Sequence, residues 1–194
     1  IVTTAEGGVA VTNDPDLAAR MSRLRSHGIT RDPTEMTHVP DGAWYYQQIE
    51  LGWNYRMTEL QAALGLSQLR RLDHYLTRRR EIANRYDLAL ADMRLTLPVR
   101  EPTNRSALHL YVVKLDDPLR HGEVFNRLRA DGIGVNLHYI PVHMHPYYQK
   151  MGFKVGDYPN AESYYKEAIS IPMFHSMTVN QQDVVIEKLK SILL

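Results

Sequence analysis

The spacing of apolar positions changes several times along the chain, and each change marks an element. Ile1-Val2-Thr3-Thr4 and Val9-Ala10-Val11-Thr12 are β-formers on either side of Glu6-Gly7-Gly8, which predicts a hairpin over residues 1–12. A helix is predicted over residues 13–28. Asp14 caps it, Pro15 opens it, and Gly28 closes it in the left-handed conformation, with Leu17, Met21 and Leu24 facing inward. Residues 29–53 show no period. They hold Pro33, Pro40, Gly42 and the cluster Trp44-Tyr45-Tyr46, which predicts a functional or partner-binding loop rather than a disordered insertion. Thr58 and Gln61 have the spacing of a capping box, and Leu60, Ala63, Leu64 and Leu69 follow at helical spacing. Asp73 is the expected cap of a further helix that turns Leu76, Ala83, Tyr86 and Leu90 inward.

From residue 95 the character changes. Residues 98–106 read as a polar connector, 107–115 as an alternating strand, 121–132 as a helix ending on Gly132, and 133–141 as another strand. Residues 158–170 and 178–193 read as closing helices, with an extended 170–174 between them. A strand-helix-strand order predicts a small α/β layer. No internal repeat or low-complexity tract interrupts it.

Composition narrows the function classes. The 194 residues carry a net charge of +1, so no global field recruits nucleic acid or an anionic membrane. Arg78-Arg79-Arg80 reads as a solvated helix face rather than a nucleic-acid contact. There is no cysteine, which excludes a thiolate nucleophile and a Cys-ligated zinc and suits a reducing compartment. No apolar run reaches membrane-spanning length and no signal-peptide pattern opens the chain, so the expected location is cytoplasmic. The chain starts within a strand pattern and without a Met, as a cut chain would.

Candidate chemistry gathers at two places. Asn54 and Arg56 offer an amide and a guanidinium beside the helix start at Thr58, a donor set suited to phosphate oxygens. Composition alone favours a local role for both, in turn backbone and a nearby carboxylate. His138, His143 and His145 lie within eight residues, but their spacing fits no zinc pattern, so no metal is expected. Asn136, His138 and Tyr139 instead suit a substrate-facing loop at a strand end. Gly7-Gly8 lacks the spacing and lysine of a phosphate-binding loop. Lys114, Lys150, Lys154, Lys166, Lys188 and Lys190 have none of the surroundings of a Schiff-base lysine.

The segments TTAEGGVAVTND, RLRSHG, WYYQQIELGWNYRMTELQAALGLSQL and RRREIANRY together resemble the DegT/DnrJ/EryC1 family of nucleotide-sugar aminotransferases. These are fold-type-I enzymes that use pyridoxal 5'-phosphate (PLP). GIGVNLHYIPVHMHPYY is most similar to the branch making UDP-4-amino-4,6-dideoxy-N-acetyl-β-L-altrosamine, on the route to pseudaminic acid. The resemblance implies an α/β chain that is the C-terminal part of a fold-type-I transferase. Residues 1–75 would be the end of the large PLP domain with an interface loop, and 76–194 the small C-terminal α/β domain.

The resemblance also implies roles. The lysine that holds PLP is expected just before Ile1, together with most of the phosphate cup, so no catalytic residue is expected in this chain and the fragment alone is expected to be inactive. Asn54 would reach across a homodimer interface to the phosphate of the neighbouring subunit's PLP, with Arg56 beside it. Asn136, Leu137, His138 and Tyr139, with Asn54, would contact the UDP-sugar. The amino donor would be L-glutamate and the acceptor C4 of a 4-keto-6-deoxy sugar. Arg25-Ser26-His27-Gly28 matches the family without a role attached. The alternatives are a sister transaminase of the perosamine or 4-amino-arabinose type, and a PLP-free binding module of the same fold.

Overall fold

A computed structural model describes residues 1–101 and 103–193, and the chain forms two compact units. One runs over Val2–Arg71; the other begins at Leu72 and includes Ile1. Pro102, in the expected connector, lies outside the described residues.

In the first unit, helix α1 spans Pro15–Leu24. Asp14 Oδ1 accepts from the amides of Asp16 at 2.9 Å and Leu17 at 3.0 Å, satisfying two orphan donors of the first turn. The helix stops earlier than its sequence pattern suggests. Arg25 is its C-cap, and the left-handed residues are His27 (φ 64°) and Gly28 (φ 70°), beyond the helix end. Strands β1 (Ile29–Thr30) and β2 (Gln47–Gln48) pair antiparallel, so the aperiodic stretch closes on itself through a two-residue ladder. Helix α2, Glu59–Leu69, begins on the full capping box. Thr58 Oγ1 accepts from the Gln61 amide and Gln61 Oε1 from the Thr58 amide.

Two expectations fail in this unit. Residues 1–12 form no strand; Val9 and Val11 are 80% and 88% exposed, and β-formers without a ladder partner do not hold a strand. The apolar stripes also stay uncovered. Helix α1 buries no residue and α2 only Gly65, while Leu17, Leu60, Leu64 and Leu69 are exposed and Met21 and Leu24 half-buried.

The second unit holds the core. Helix α3 (Leu72–Leu90) is followed by β3 (Leu95–Thr96), β4 (Tyr111–Leu115), α4 (His121–Ala130), α5 (Pro146–Gln149), α6 (Pro159–Glu167), β5 (Ala168–Ile171) and α7 (Val179–Leu193). The sheet order is β3-β4-β5 and both pairings are antiparallel, with Leu95 opposite Leu115 and Tyr111 opposite Ile171. Tyr111, Val113 and Leu115 bury one face of β4. With Tyr86 and Leu90 of α3, Val124 and Leu128 of α4, Ile169 of β5 and Leu189 of α7, they form the core. Tyr86 donates its hydroxyl to the Pro172 carbonyl at 2.8 Å, so the buried phenol is satisfied.

The sequence pattern is corrected here at several points. Asp73 sits in the first turn of α3 rather than at its cap, and Leu76 is half-buried. Arg79 does not belong to a solvated face. It is buried, and its guanidinium donates to the carbonyls of Leu108, at 2.8 Å, and His109. Burial lowers its pKa. Residues 168–170 leave the expected helix and form β5 instead. Residues 133–141 do not form a strand; a single antiparallel bridge joins Asn136 to Ser170.

Candidate functional site

The first site grows from main-chain pairing. After α1 the chain returns antiparallel to itself. His27 N donates to Trp53 O at 2.8 Å, Trp53 N to Leu24 O at 2.8 Å, and Tyr55 N to Arg25 O at 2.9 Å. Ser26 and Asn54 face each other at the centre of this short ladder. The Arg25-Ser26-His27-Gly28 block, which had no role in the sequence, is therefore the backbone partner of the elbow Trp53–Arg56. Trp53 and Tyr55 stack with ring centroids 5.8 Å apart.

The elbow presents polar groups outward. Asn54 and Arg56 are exposed, and neither side chain has a hydrogen bond or ion pair among the described residues. Arg56 lines a cavity of about 1110 Å³, together with Gly7, Gly8, Arg25, Tyr55 and Gln61. Gln61 also donates from Nε2 to the Glu6 carbonyl at 2.9 Å, which ties the glycine turn to the start of α2. A guanidinium without a carboxylate, an amide without a partner and a helix start make a donor set for an anionic oxygen group. The residues present thus fit the phosphate end of PLP. No lysine occurs before Lys114, so residues 2–71 hold no amine for a Schiff base.

An ion cluster lies under the elbow. Arg23 Nε donates to Glu50 Oε1 at 2.6 Å and its Nη1 to Glu35 Oε1 at 2.6 Å. Thr30 Oγ1 donates to the other Glu35 oxygen at 2.7 Å, and Arg20 adds a longer contact to Glu50. The hydrogen bond from Arg23 holds the Glu50 carboxyl below the usual carboxylate range. None of these residues stood out in the sequence. The signal available was Gly28 and Gly52, which bracket Glu35 and Glu50.

The second site lies in the other unit. Asn136 exchanges both main-chain hydrogen bonds with Ser170, at 3.1 and 2.8 Å, and its Oδ1 accepts from the Leu137 amide at 2.8 Å. His138 Nδ1 is 2.8 Å from Ser170 Oγ. Ser170 thus fixes both Asn136 and His138. The His138–Tyr139 peptide is cis; the two rings meet edge to face at 4.7 Å, and Tyr139 is 71% exposed. The other two histidines part company. His145 is exposed at the start of α5, whereas His143 is buried with Nε2 2.8 Å from Glu162 Oε1. The Gly156 amide donates to the same oxygen at 2.7 Å. These two hydrogen bonds, that of His143 first, lower the Glu162 pKa. The described residues contain no group of side chains arranged to hold a metal ion, and no helix long and apolar enough to cross a membrane.

Residues 1–190 match the DegT/DnrJ/EryC1/StrS aminotransferase family. The chain is 40% identical to the spore coat polysaccharide biosynthesis protein SpsC of Bacillus subtilis, over 98% of this chain and 50% of the relative. It is 35% identical to the UDP-4-amino-4,6-dideoxy-N-acetyl-β-L-altrosamine transaminase of Campylobacter jejuni, over 99% and 49%. Helicobacter pylori PseC, an aminotransferase involved in pseudaminic acid biosynthesis, superposes with a TM-score of 0.86 at 27% identity, over 98% of this chain and 49% of that one. Structural relatives include chains solved in PLP and PMP forms. The chain spans about half the length of the curated relatives it matches.

Proposed function

Since the chain belongs to the DegT/DnrJ/EryC1/StrS aminotransferase family, we propose that the intact protein is a PLP-dependent nucleotide-sugar transaminase. It moves an amino group from L-glutamate to C4 of a UDP-linked 4-keto-6-deoxy-N-acetylhexosamine, for pseudaminic acid or a related surface glycan. It works as a homodimer with shared sites in the cytoplasm. The likeness to the altrosamine transaminase supports the substrate.

The observation that carries this reading is the pair of unpartnered donors, Asn54 and Arg56, on an elbow fixed by main-chain hydrogen bonds. When bound, PLP supplies the electron sink for carbon-acid chemistry. The chain's own residues bind and orient. Asn54 donates an amide N–H to a phosphate oxygen of the neighbouring subunit's cofactor, and Arg56 adds positive charge there. In the other unit, His138 and the Asn136–Tyr139 main chain hold the UDP-sugar. Ser170 occupies His138 Nδ1, so Nε2 is the nitrogen left for a diphosphate oxygen or a hydroxyl.

A second reading has its own support. The 40% identity to SpsC favours a sister transaminase serving a different polysaccharide. One experiment sorts the possibilities. The intact protein is titrated with pyridoxamine 5'-phosphate (PMP), then assayed for 2-oxoglutarate formed from glutamate with a panel of UDP-4-keto sugars. Binding and turnover with the N-acetylated 4-keto-6-deoxy sugar support the proposal. Turnover only with other keto sugars supports the sister enzyme. A protein that binds UDP-sugar but neither PMP nor PLP is a binding module, and the transaminase reading is then wrong.

A further inference from the structure

We propose that Arg23 is a positioning residue, which acts through Glu50 to hold the elbow Trp53–Arg56 in the register that presents Asn54 and Arg56 to an anionic group. This rests on the reading of Asn54 and Arg56 as phosphate ligands given above, but it concerns residues to which no role has been attached.

The physical argument starts with the ladder itself. Three main-chain hydrogen bonds between residues 24–27 and 53–55 fix the elbow. A ladder of that length on a solvated surface is marginal by itself. The segment that feeds it, after β2, runs through Ile49 and Glu50, whose amides lie 3.0 and 3.5 Å from the Gly28 carbonyl. Something must hold that segment laterally. Arg23 stands in the last turn of α1, and its main-chain carbonyl also accepts from the Ser26 and Gly28 amides. Its side chain is only 17% exposed and its fork is used twice, once on Glu50 and once on Glu35. One residue therefore joins the helix end, the 32–36 turn and the segment entering the elbow.

The chemistry demands an arginine. A guanidinium presents several donors in a fixed plane and can hold two carboxylates at once; an ammonium is a single point charge. Two carboxylates brought together without it would repel each other and push the 32–36 turn and the 49–50 segment apart. Arg20 is 65% exposed and pairs with Glu50 alone, at 3.5 Å, so it does not bridge the two carboxylates. Asn54 and Arg56 lie four and six residues past Glu50, so a lateral shift of Glu50 is passed directly to both.

The test uses the intact protein and two readouts. Hydrogen exchange reports the elbow, through the amides of Trp53 and Tyr55. A titration with PMP, whose phosphate contacts register without a covalent bond to the protein, reports the site. Arg23→Met is expected to speed exchange at Trp53 and Tyr55 and to weaken PMP binding, each by roughly tenfold, the equivalent of one polar bond. Arg23→Lys is expected to fall between wild type and Arg23→Met. In a background carrying both Asn54→Ala and Arg56→Ala, Arg23→Met should add little further loss of PMP affinity, because it acts through those two side chains. Should Arg23→Met fail to fold, Glu50→Gln carries the same test, since it weakens the same link and keeps an acceptor. Unchanged exchange at Trp53 and Tyr55, or an undiminished loss in the Asn54→Ala, Arg56→Ala background, overturns the proposal. If Asn54→Ala alone leaves PMP affinity intact, it is the phosphate-ligand reading that fails, and the exchange readout still decides the role of Arg23.

Discussion

Gly28 and Gly52 touch back to back: a Cβ on Gly52 would stand 2.3 Å from the Gly28 nitrogen. Gly28 is crowded from another side, because a Cβ on it, at φ 70°, would meet the Glu50 carbonyl oxygen at 1.8 Å. Both obstacles are backbone, which cannot rotate away. Gly28→Ala also adds the left-handed penalty of about 1–2 kcal/mol. Either alanine variant is expected to lower thermal stability and weaken PMP binding together, whereas Gly122→Ala, which meets nothing, should do neither. Calorimetry with a PMP titration checks both.

Asn54 is expected to serve the neighbouring subunit. Full-length Asn54→Ala protein is mixed with full-length protein lacking the PLP-binding lysine, under conditions where subunits exchange. Shared sites regenerate one intact site per heterodimer, and transaminase activity returns. Exchange without recovery shows that each subunit uses its own Asn54.

His138→Ala in the intact protein should raise KM for the UDP-sugar by roughly tenfold or more, as loss of one polar or charge-assisted bond would. PMP affinity should stay unchanged. Ser170→Ala is the companion variant. It frees His138 Nδ1, and it should raise KM less than His138→Ala because the ring remains.

Glu162 provides a pH test with a definite sign. Its pKa is lowered in the folded protein by the hydrogen bonds from His143 and Gly156. The stabilisation is therefore fully present above the unfolded value, about 4.3, and is lost as pH falls through the lower folded value. The difference in Tm between wild type and Glu162→Gln should be largest above about pH 5 and shrink below pH 4. A difference that is constant with pH would show that the carboxylate charge contributes nothing.

Tyr86→Phe removes a buried hydroxyl and leaves the Pro172 carbonyl without its donor. Unfolding in urea should show a loss of about 1–3 kcal/mol. Tyr111 offers a spectroscopic companion. Its hydroxyl donates to Asp87 at 2.6 Å, and burial pushes its pKa up to about 12, so in alkaline titration it ionises after the exposed tyrosines.

The elements that read well from sequence are those fixed locally. The Thr58–Gln61 capping box and the Asp14 cap need only a few neighbouring residues, and both form. The inward face of α3 was also legible at Ala83, Tyr86 and Leu90, because a 3.6-residue period is enough to place it. Arg79 was not, since its acceptors at Leu108 and His109 are 29 and 30 positions away. Val9 and Val11 misled for the same reason: β-propensity says nothing about whether a partner strand exists. At the site, Asn54 and Arg56 drew notice as unusual neighbours. Arg23, Glu35 and Glu50 did not, because ordinary charges become a cluster only when the loop folds back.

The pairing of Asn136 with Ser170 has a further consequence, for solubility. In the order β3-β4-β5, β5 is an outer strand, and an outer strand is a template for another chain. Asn136 takes the main-chain donor and acceptor of Ser170, the His138 ring covers its hydroxyl, and Pro141 a few residues on has no N–H to extend the ladder. The segment read as a sugar contact is thus also the guard of a sticky edge. Its sequence is constrained twice over, once by the recognition proposed for it and once by the need to keep neighbouring molecules from adding a strand.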